Sequence, residues 1–254
     1  MCVAIIIPGA AKWPSKETLL ACEKANQHGG GIAWTDPDKR IVRWKKGITA
    51  EEIYEITQQV KPPGLIHFRI STAGGVVPEL CHPFPVTKES SLALEGTAHQ
   101  VMIHNGHFSK WDEILLLKMP PGKKLPSGSL SDSRAMAWLA SHYGQNFFLL
   151  TGEKIACLDG MGRTVWYKPN AWTTIDGCEF SNTSWKWSGS SKKDGAGDNN
   201  YYEHFRGVSY YYPGGTITPR KEEKDTKETP KEEDRIIIGF NPEDKSTIVV
   251  LGDT

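Results

Sequence analysis

Met1-Cys2-Val3-Ala4-Ile5-Ile6-Ile7-Pro8 opens the chain. The unbroken apolar run from Val3 to Ile7 reads as a buried strand. Such a strand would hold the residue before it rigidly. That residue is a cysteine, placed directly after the initiator methionine. Methionine aminopeptidases remove Met1 when the next side chain is small, so Cys2 can become the chain terminus. The product carries a thiol and a free α-amine on one residue. The amine has a reference pKa of about 8, so much of it can be deprotonated near neutral pH. Thiol and amine together make a self-contained nucleophile–base pair, by the logic of a threonine paired with an N-terminal amine. A cysteine at position two is commonplace on its own, so the rest of the chain must supply the other parts of a site.

Composition narrows the field. At 254 residues the chain is long enough for one large domain or two small ones and for a substantial core. Its formal net charge is zero, which gives no bulk attraction to nucleic acid or an anionic membrane. No apolar run approaches the ~20 residues needed to cross a bilayer. No basic segment followed by an apolar one marks a signal peptide. Neither a nucleic-acid nor a membrane partner is expected. Cys2, Cys22, Cys81, Cys157 and Cys178 are scattered, with no C-x-x-C pair to suggest zinc. A reduced, cytoplasmic compartment is expected, with no metal and no cofactor.

The local patterns alternate irregularly. Residues 15–27 predict a helix capped by Ser15. Gly29-Gly30-Gly31 predicts a tight backbone approach followed by a strand. A turn at Asp36-Pro37-Asp38-Lys39 joins that strand to another at 40–45. Thr49-Ala50-Glu51-Glu52 is a capping box, opening a helix with Ile53, Ile56 and Val60 on one face. A strand follows at 65–70, and 71–98 reads as a long loop region. Next come a strand at 100–104, a turn at Asn105-Gly106 and a helix capped by Ser131. Further strands are expected at 147–150, 155–158, 164–167 and 178–181. Strands grouped before and after helices favour an α+β fold over a doubly wound sheet. From about Ser188 the composition becomes that of a flexible linker, then a mixed-charge stretch almost free of apolar residues. Two strand-like runs, Ile236–Phe240 and Thr247–Leu251, end the chain as a candidate hairpin. The expected organisation is therefore a domain over 2–187, a linker and charged segment over 188–235, and a strand pair over 236–254.

Three stretches can carry chemistry. His67-Phe68-Arg69-Ile70-Ser71-Thr72 puts an arginine and hydroxyls at a strand end. The guanidinium fork can bind a carboxylate bidentately with help from Thr72, or it can sit in a surface salt bridge. His104-Asn105-Gly106 can aim an amide and a backbone N–H at one point, forming an oxyanion hole, or it can be an ordinary Asn-Gly turn. Ser131-Asp132-Ser133-Arg134 offers N-capping by Ser131 or Asp132, or an aspartate that binds a substrate ammonium group.

In order and spacing, these pieces resemble one family. Cys2, Gly29-Gly30-Gly31-Ile32-Ala33, His67-x-Arg69-x-x-Thr72, Cys81-His82-Pro83-Phe84, His104-Asn105-Gly106 and Ser131-Asp132-Ser133 look like the class II glutamine amidotransferase domain, of the N-terminal-nucleophile hydrolase type. The resemblance covers roughly residues 2–187. It implies a four-layer αββα sandwich. It implies Cys2 as nucleophile with its α-amine as base, and Asn105 and Gly106 as oxyanion hole. Arg69 and Thr72 would hold the glutamine α-carboxylate and Asp132 its α-ammonium, with His82 framing the site and His104 structural. Glutamine would be the substrate, and a synthase or other acceptor protein would receive the ammonia. The chain departs from the sugar-phosphate members, which carry Trp and His where it has Ile70 and Ala73. It is closer to short stand-alone members with a His-Pro-Phe motif. Two other readings stand beside this one. One is an amidohydrolase of the same fold acting on another γ-glutamyl or amide substrate. The other is an inactive binding module.

Overall fold

The computed structural model describes residues 1–71, 75–187, 236–240 and 247–251. The chain divides into two compact units, Met1–Thr216 and Ile217–Thr254. The expected linker and charged segment, 188–235, lies outside the described residues. In the second unit Ile236–Phe240 and Thr247–Leu251 pair antiparallel, Ile236 opposite Leu251.

In the first unit the elements run in this order: β1 (Val3–Ile7), α1 (Lys16–Ala25), β2 (Gly30–Asp36), β3 (Ile41–Ile48), α2 (Ala50–Thr57), β4 (Gly64–Phe68), β5 (Phe84–Pro85), β6 (Glu95–Ala98), β7 (Gln100–Asn105), α3 (Trp111–Leu117), α4 (Asp132–Tyr143), α5 (Phe147–Thr151), β8 (Lys154–Asp159), β9 (Thr164–Trp166), β10 (Thr173–Ile175) and β11 (Cys178–Phe180). Among the described residues one sheet has the order β10-β11-β1-β4-β2-β3-β6 and another β5-β7-β8-β9. Neighbouring strands are antiparallel, as in β1 with β4 and β7 with β8. The fold is α+β.

The alternation along β1 organises both faces of its sheet. Val3, Ile5 and Ile7 join Leu19 and Cys22 of α1 and Ala50 and Ile53 of α2. Ala4 and Ile6 point the other way, onto Val101 and Ile103 of β7 and Ala156 and Leu158 of β8. A strand with period two and both faces covered must be apolar throughout, which explains the unbroken run. The far face of the second sheet presents Met102, Ile155 and Cys157 to Ala135, Met136 and Leu139 of α4 and to Phe148 of α5. All five β1 side chains are fully buried. Each buried isoleucine is worth roughly 1.5–3 kcal/mol relative to an exposed one.

Helix starts follow the expected caps. Ser15 accepts from the Thr18 N–H, the Thr49–Glu52 capping box is complete, and Ser131 accepts from the Arg134 N–H. Several expectations need correction. Residues 147–150 form α5, not a strand. Phe147 and Phe148 face the core while Leu149 and Leu150 are exposed, and four apolar residues in a row cannot distinguish the two periods. The α2 helix ends at Thr57, so Val60 is not on its face; the Val60 carbonyl accepts from Trp13 Nε1. The 71–98 region holds a short 3-10 turn at Pro78–Leu80 and the strands β5 and β6. Helix α3 and strand β10 had no counterpart in the pattern reading.

Arg134, on the first turn of α4, is buried without an acidic partner among the described residues. Its guanidinium donates to the carbonyls of Ser90 (2.6 and 3.0 Å), Ser127 (2.8 Å) and Ser129 (2.7 Å). This gathers two loops beside Asp132. Replacing Arg134 with leucine leaves three carbonyls without their donor, at about 1 kcal/mol or more each. Urea denaturation of Arg134→Leu should show a loss of about 3 kcal/mol; an unchanged midpoint would mean that the loops are held some other way.

Candidate active site

One cleft collects residues from five separate parts of the chain. Cys2, Arg69, His82, Gly106 and Asp132 line it, together with Ile70, Leu80, His104, Ser131 and Ser133. Five of the seven candidate residues thus meet in one place. Asn105 is not in its lining, and Thr72 lies outside the described residues.

Cys2 stands half-buried just before β1, and Met1 ahead of it is 74% exposed. The thiol is fixed by the backbone of Ile70. Its Sγ accepts from the Ile70 N–H and donates to the Ile70 carbonyl, both at 3.3 Å. The Cys2 carbonyl accepts from Asn182 Nδ2 at 2.6 Å. Burial pushes the thiol pKa up. The Ile70 N–H, the chain-terminal ammonium and the Arg69 guanidinium oppose the rise, and Asp132 adds to it. A thiol in this state needs a base to become a nucleophile.

Arg69 follows β4 and is buried, with Nη2 donating to Ser71 Oγ at 3.0 Å. Its backbone pairs with the glycine segment: the Arg69 N–H donates to the Gly29 carbonyl and its carbonyl accepts from the His28 N–H. Burial lowers its pKa, while Cys81, Cys2 and Asp132 favour the charge.

Asp132 is the first residue of α4. Its Oδ1 accepts from the Ser133 N–H (2.8 Å) and its Oδ2 from the Phe108 N–H (3.2 Å). These bonds tie the 105–108 segment to the helix start. A carboxylate has about four lone-pair positions, so capacity remains for a ligand. N-capping itself falls to Ser131.

His82 packs against His67 (ring centroids 3.9 Å apart) and edge-on to Phe84 (5.0 Å). Neither His82 ring nitrogen has a hydrogen-bond partner among the described residues. Burial, reinforced by His67 and His104, holds its pKa well below the ordinary histidine value, so it is neutral. The His82 carbonyl lies where a Cβ at Gly31 would be, so β2 must carry glycine for this loop to approach. His67 Nε2 donates to the His104 carbonyl at 3.0 Å, and His104 Nδ1 meets Ser133 Oγ at 2.9 Å. The cleft lining thus carries one arginine, one aspartate and the imidazoles of His82 and His104.

A side chain at Gly106 would require its neighbours to shift. A Cβ there would collide with the Glu153 carboxylate and crowd His104 Nε2. Asn105 ends β7 rather than forming a free turn, and its Nδ2 lies 2.8 Å from Ser181 Oγ. Pattern reading missed Ser181, Ile70, Asn182 and Glu153 as site neighbours. The stretch 178–181 was legible only as a strand, because the Ser181 contact reaches a segment 177 residues away.

No family model matches the sequence, and no curated protein matches it. The structure is similar to that of "the allosteric regulatory enzyme of purine biosynthesis", with TM-score 0.47 and 18% identity. It is also similar to glutamine phosphoribosylpyrophosphate amidotransferase from B. subtilis complexed with ADP and GMP, with TM-score 0.45 and 14% identity. Each match covers 71% of this chain and 41% of the other, so this chain spans well under half the length of either.

The buried thiol gives a direct test. In protein retaining Met1, alkylation of Cys2 by iodoacetamide should still be accelerating as pH passes 9, the thiol's ordinary value. A plateau reached by pH 8, followed by mass spectrometry of the Cys2 peptide, would contradict the geometry described.

Proposed function

We propose that the protein is an N-terminal-cysteine amidohydrolase of the class II glutamine amidotransferase type, hydrolysing the side-chain amide of glutamine. The observation that carries this reading is the convergence of Cys2, Arg69, Gly106 and Asp132 on one cleft. In this reading the core packing corresponds to a four-layer αββα sandwich, and the domain occupies 2–187.

A cleft with one fixed cation and one fixed anion suits the head group of an α-amino acid. Arg69 takes the carboxylate bidentately and Asp132 the ammonium. Thr72 is proposed to add a hydrogen bond to the carboxylate. The side chain then extends toward Cys2, past the neutral His82.

After Met1 is removed, the α-amine of Cys2 takes the thiol proton. The thiolate attacks the carboxamide carbon. Negative charge develops on the amide oxygen and is met by Asn105 and Gly106. The amine returns the proton to the departing nitrogen, the C–N bond breaks, and ammonia leaves. Water, deprotonated by the same amine, hydrolyses the thioester to glutamate and free Cys2. The Ile70 N–H facing the sulfur favours the thiolate throughout. Ammonia passes to a partner synthase or other acceptor. Ala73, which stands where the sugar-phosphate members of the family carry His, weakens the case for free glutamine and leaves room for a second substrate class: another γ-glutamyl amide bound by the same head-group contacts.

Ammonia and glutamate release from L-glutamine tests the reading. Cys2→Ala should abolish turnover with the fold intact. Asn105→Ala should lower kcat on the order of a hundredfold or more. Release of a larger amine from a γ-glutamyl compound, with free glutamine untouched, would select the second substrate class. If wild-type protein with Met1 removed neither turns over nor labels at Cys2 with an electrophilic glutamine analogue, the site is not an amidohydrolase.

A further inference from the structure

Ser181 lies just beyond β11 and is buried. Its Oγ is 2.9 Å from the Ala4 N–H and 2.8 Å from Asn105 Nδ2. Its own N–H donates to the Ala4 carbonyl. With Nδ2 toward Ser181, this arrangement wastes hydrogen bonds. Ser181 Oγ accepts two N–H groups, and its own proton has no acceptor among the described residues. Asn105 Oδ1 is buried with no donor among the described residues. The second Nδ2 proton of Asn105 has no acceptor among them either. The two amide atoms of asparagine are interchangeable by a half-turn of the side chain, which is settled by the hydrogen-bond network. Exchanging them lets the Ser181 hydroxyl donate to Oδ1 while still accepting from Ala4. Both protons of the Asn105 amide nitrogen then point where the unpartnered oxygen stood. Two free N–H groups on a buried amide form a receptor for an acceptor oxygen.

Strand alternation turns Asn105 and Cys2 toward the same inter-sheet space. Asn105 shares the inner face of its sheet with Val101 and Ile103, and Cys2 continues the inner face of Ala4 and Ile6. Gly106, next along the chain, lines the Cys2 cleft. We infer that Ser181 is a positioning residue: its hydroxyl, anchored on the Ala4 N–H, turns the Asn105 amide so that its NH2 group faces the oxygen of a substrate amide over Cys2. The inference rests on the amidohydrolase reading and adds to it the residue that orients the oxyanion donor. Ser181 need not touch substrate.

A double-mutant cycle on L-glutamine hydrolysis, with Met1 removed from every variant, tests this. Ser181→Ala should lower kcat on the order of tenfold to a hundredfold with KM little changed, since only charge developing at the oxyanion is affected. Ser181→Thr should restore most of the loss. In an Asn105→Ala background, Ser181→Ala should cost nothing more. Wild-type kcat in Ser181→Ala, or an equal loss with and without Asn105, would overturn the assignment while leaving the amidohydrolase reading intact. Failure of wild type to turn over or to label would instead remove that reading, and this inference with it. If Ser181→Ala does not fold, neutron diffraction of the wild type decides. A Ser181 deuteron directed at Asn105 supports the assignment, and Asn105 deuterons directed at Ser181 overturn it.

Discussion

The candidate site depends on β1 being immovable. Five fully buried side chains lock the strand between α1 and α2 on one side and the second sheet on the other. Its backbone pairs with β4 and β11 along both edges. The residue just before it is then pinned by short contacts, from Ile70 to the sulfur and from Asn182 to the carbonyl. Residues near a chain end usually fray; here the packing behind Cys2 removes that freedom from it. The fixed position of Cys2 is thus a consequence of burying Val3 to Ile7.

The electrostatics follow from the same burial. His67 and His82 are pushed toward neutrality by loss of water, His67 to about 3. Lys46, buried with its Nζ 4.4 Å from the Phe84 ring centroid, is lowered to about 7. Arg69 has a far higher ordinary pKa and remains the cation of the cleft. Asp132 stands in the same cleft, fixed by the Phe108 and Ser133 N–H groups. A neutral scaffold with one charge of each sign can recognise a zwitterion without a bulk field, in keeping with a chain whose net charge is zero.

Much of this was legible in the sequence because the relevant signals are local. The buried strand, the Ser15 and Ser131 caps and the Thr49 capping box each lie within a few consecutive residues. Cys2, Arg69, His82, Gly106 and Asp132 sit at strand ends or at a helix start, where motif spacing is informative. What stayed hidden is tertiary. Phe147 and Phe148 became helical because the core beneath α4 accepts one face of a single turn. Asn105 was readable as a turn residue, but its bond to Ser181 was not. Nor could any pattern reveal that Glu153 fills the space a side chain at Gly106 would take.

The central claim is that the α-amine of Cys2 serves the thiol beside it. It is tested most directly by comparing glutamine hydrolysis for two preparations of the same chain, their intact masses verified, one with Met1 removed and one with Met1 retained. Locking the amine into a peptide bond removes the base, so turnover should be confined to the Cys2-terminal form. Equal rates in the two preparations would contradict the account.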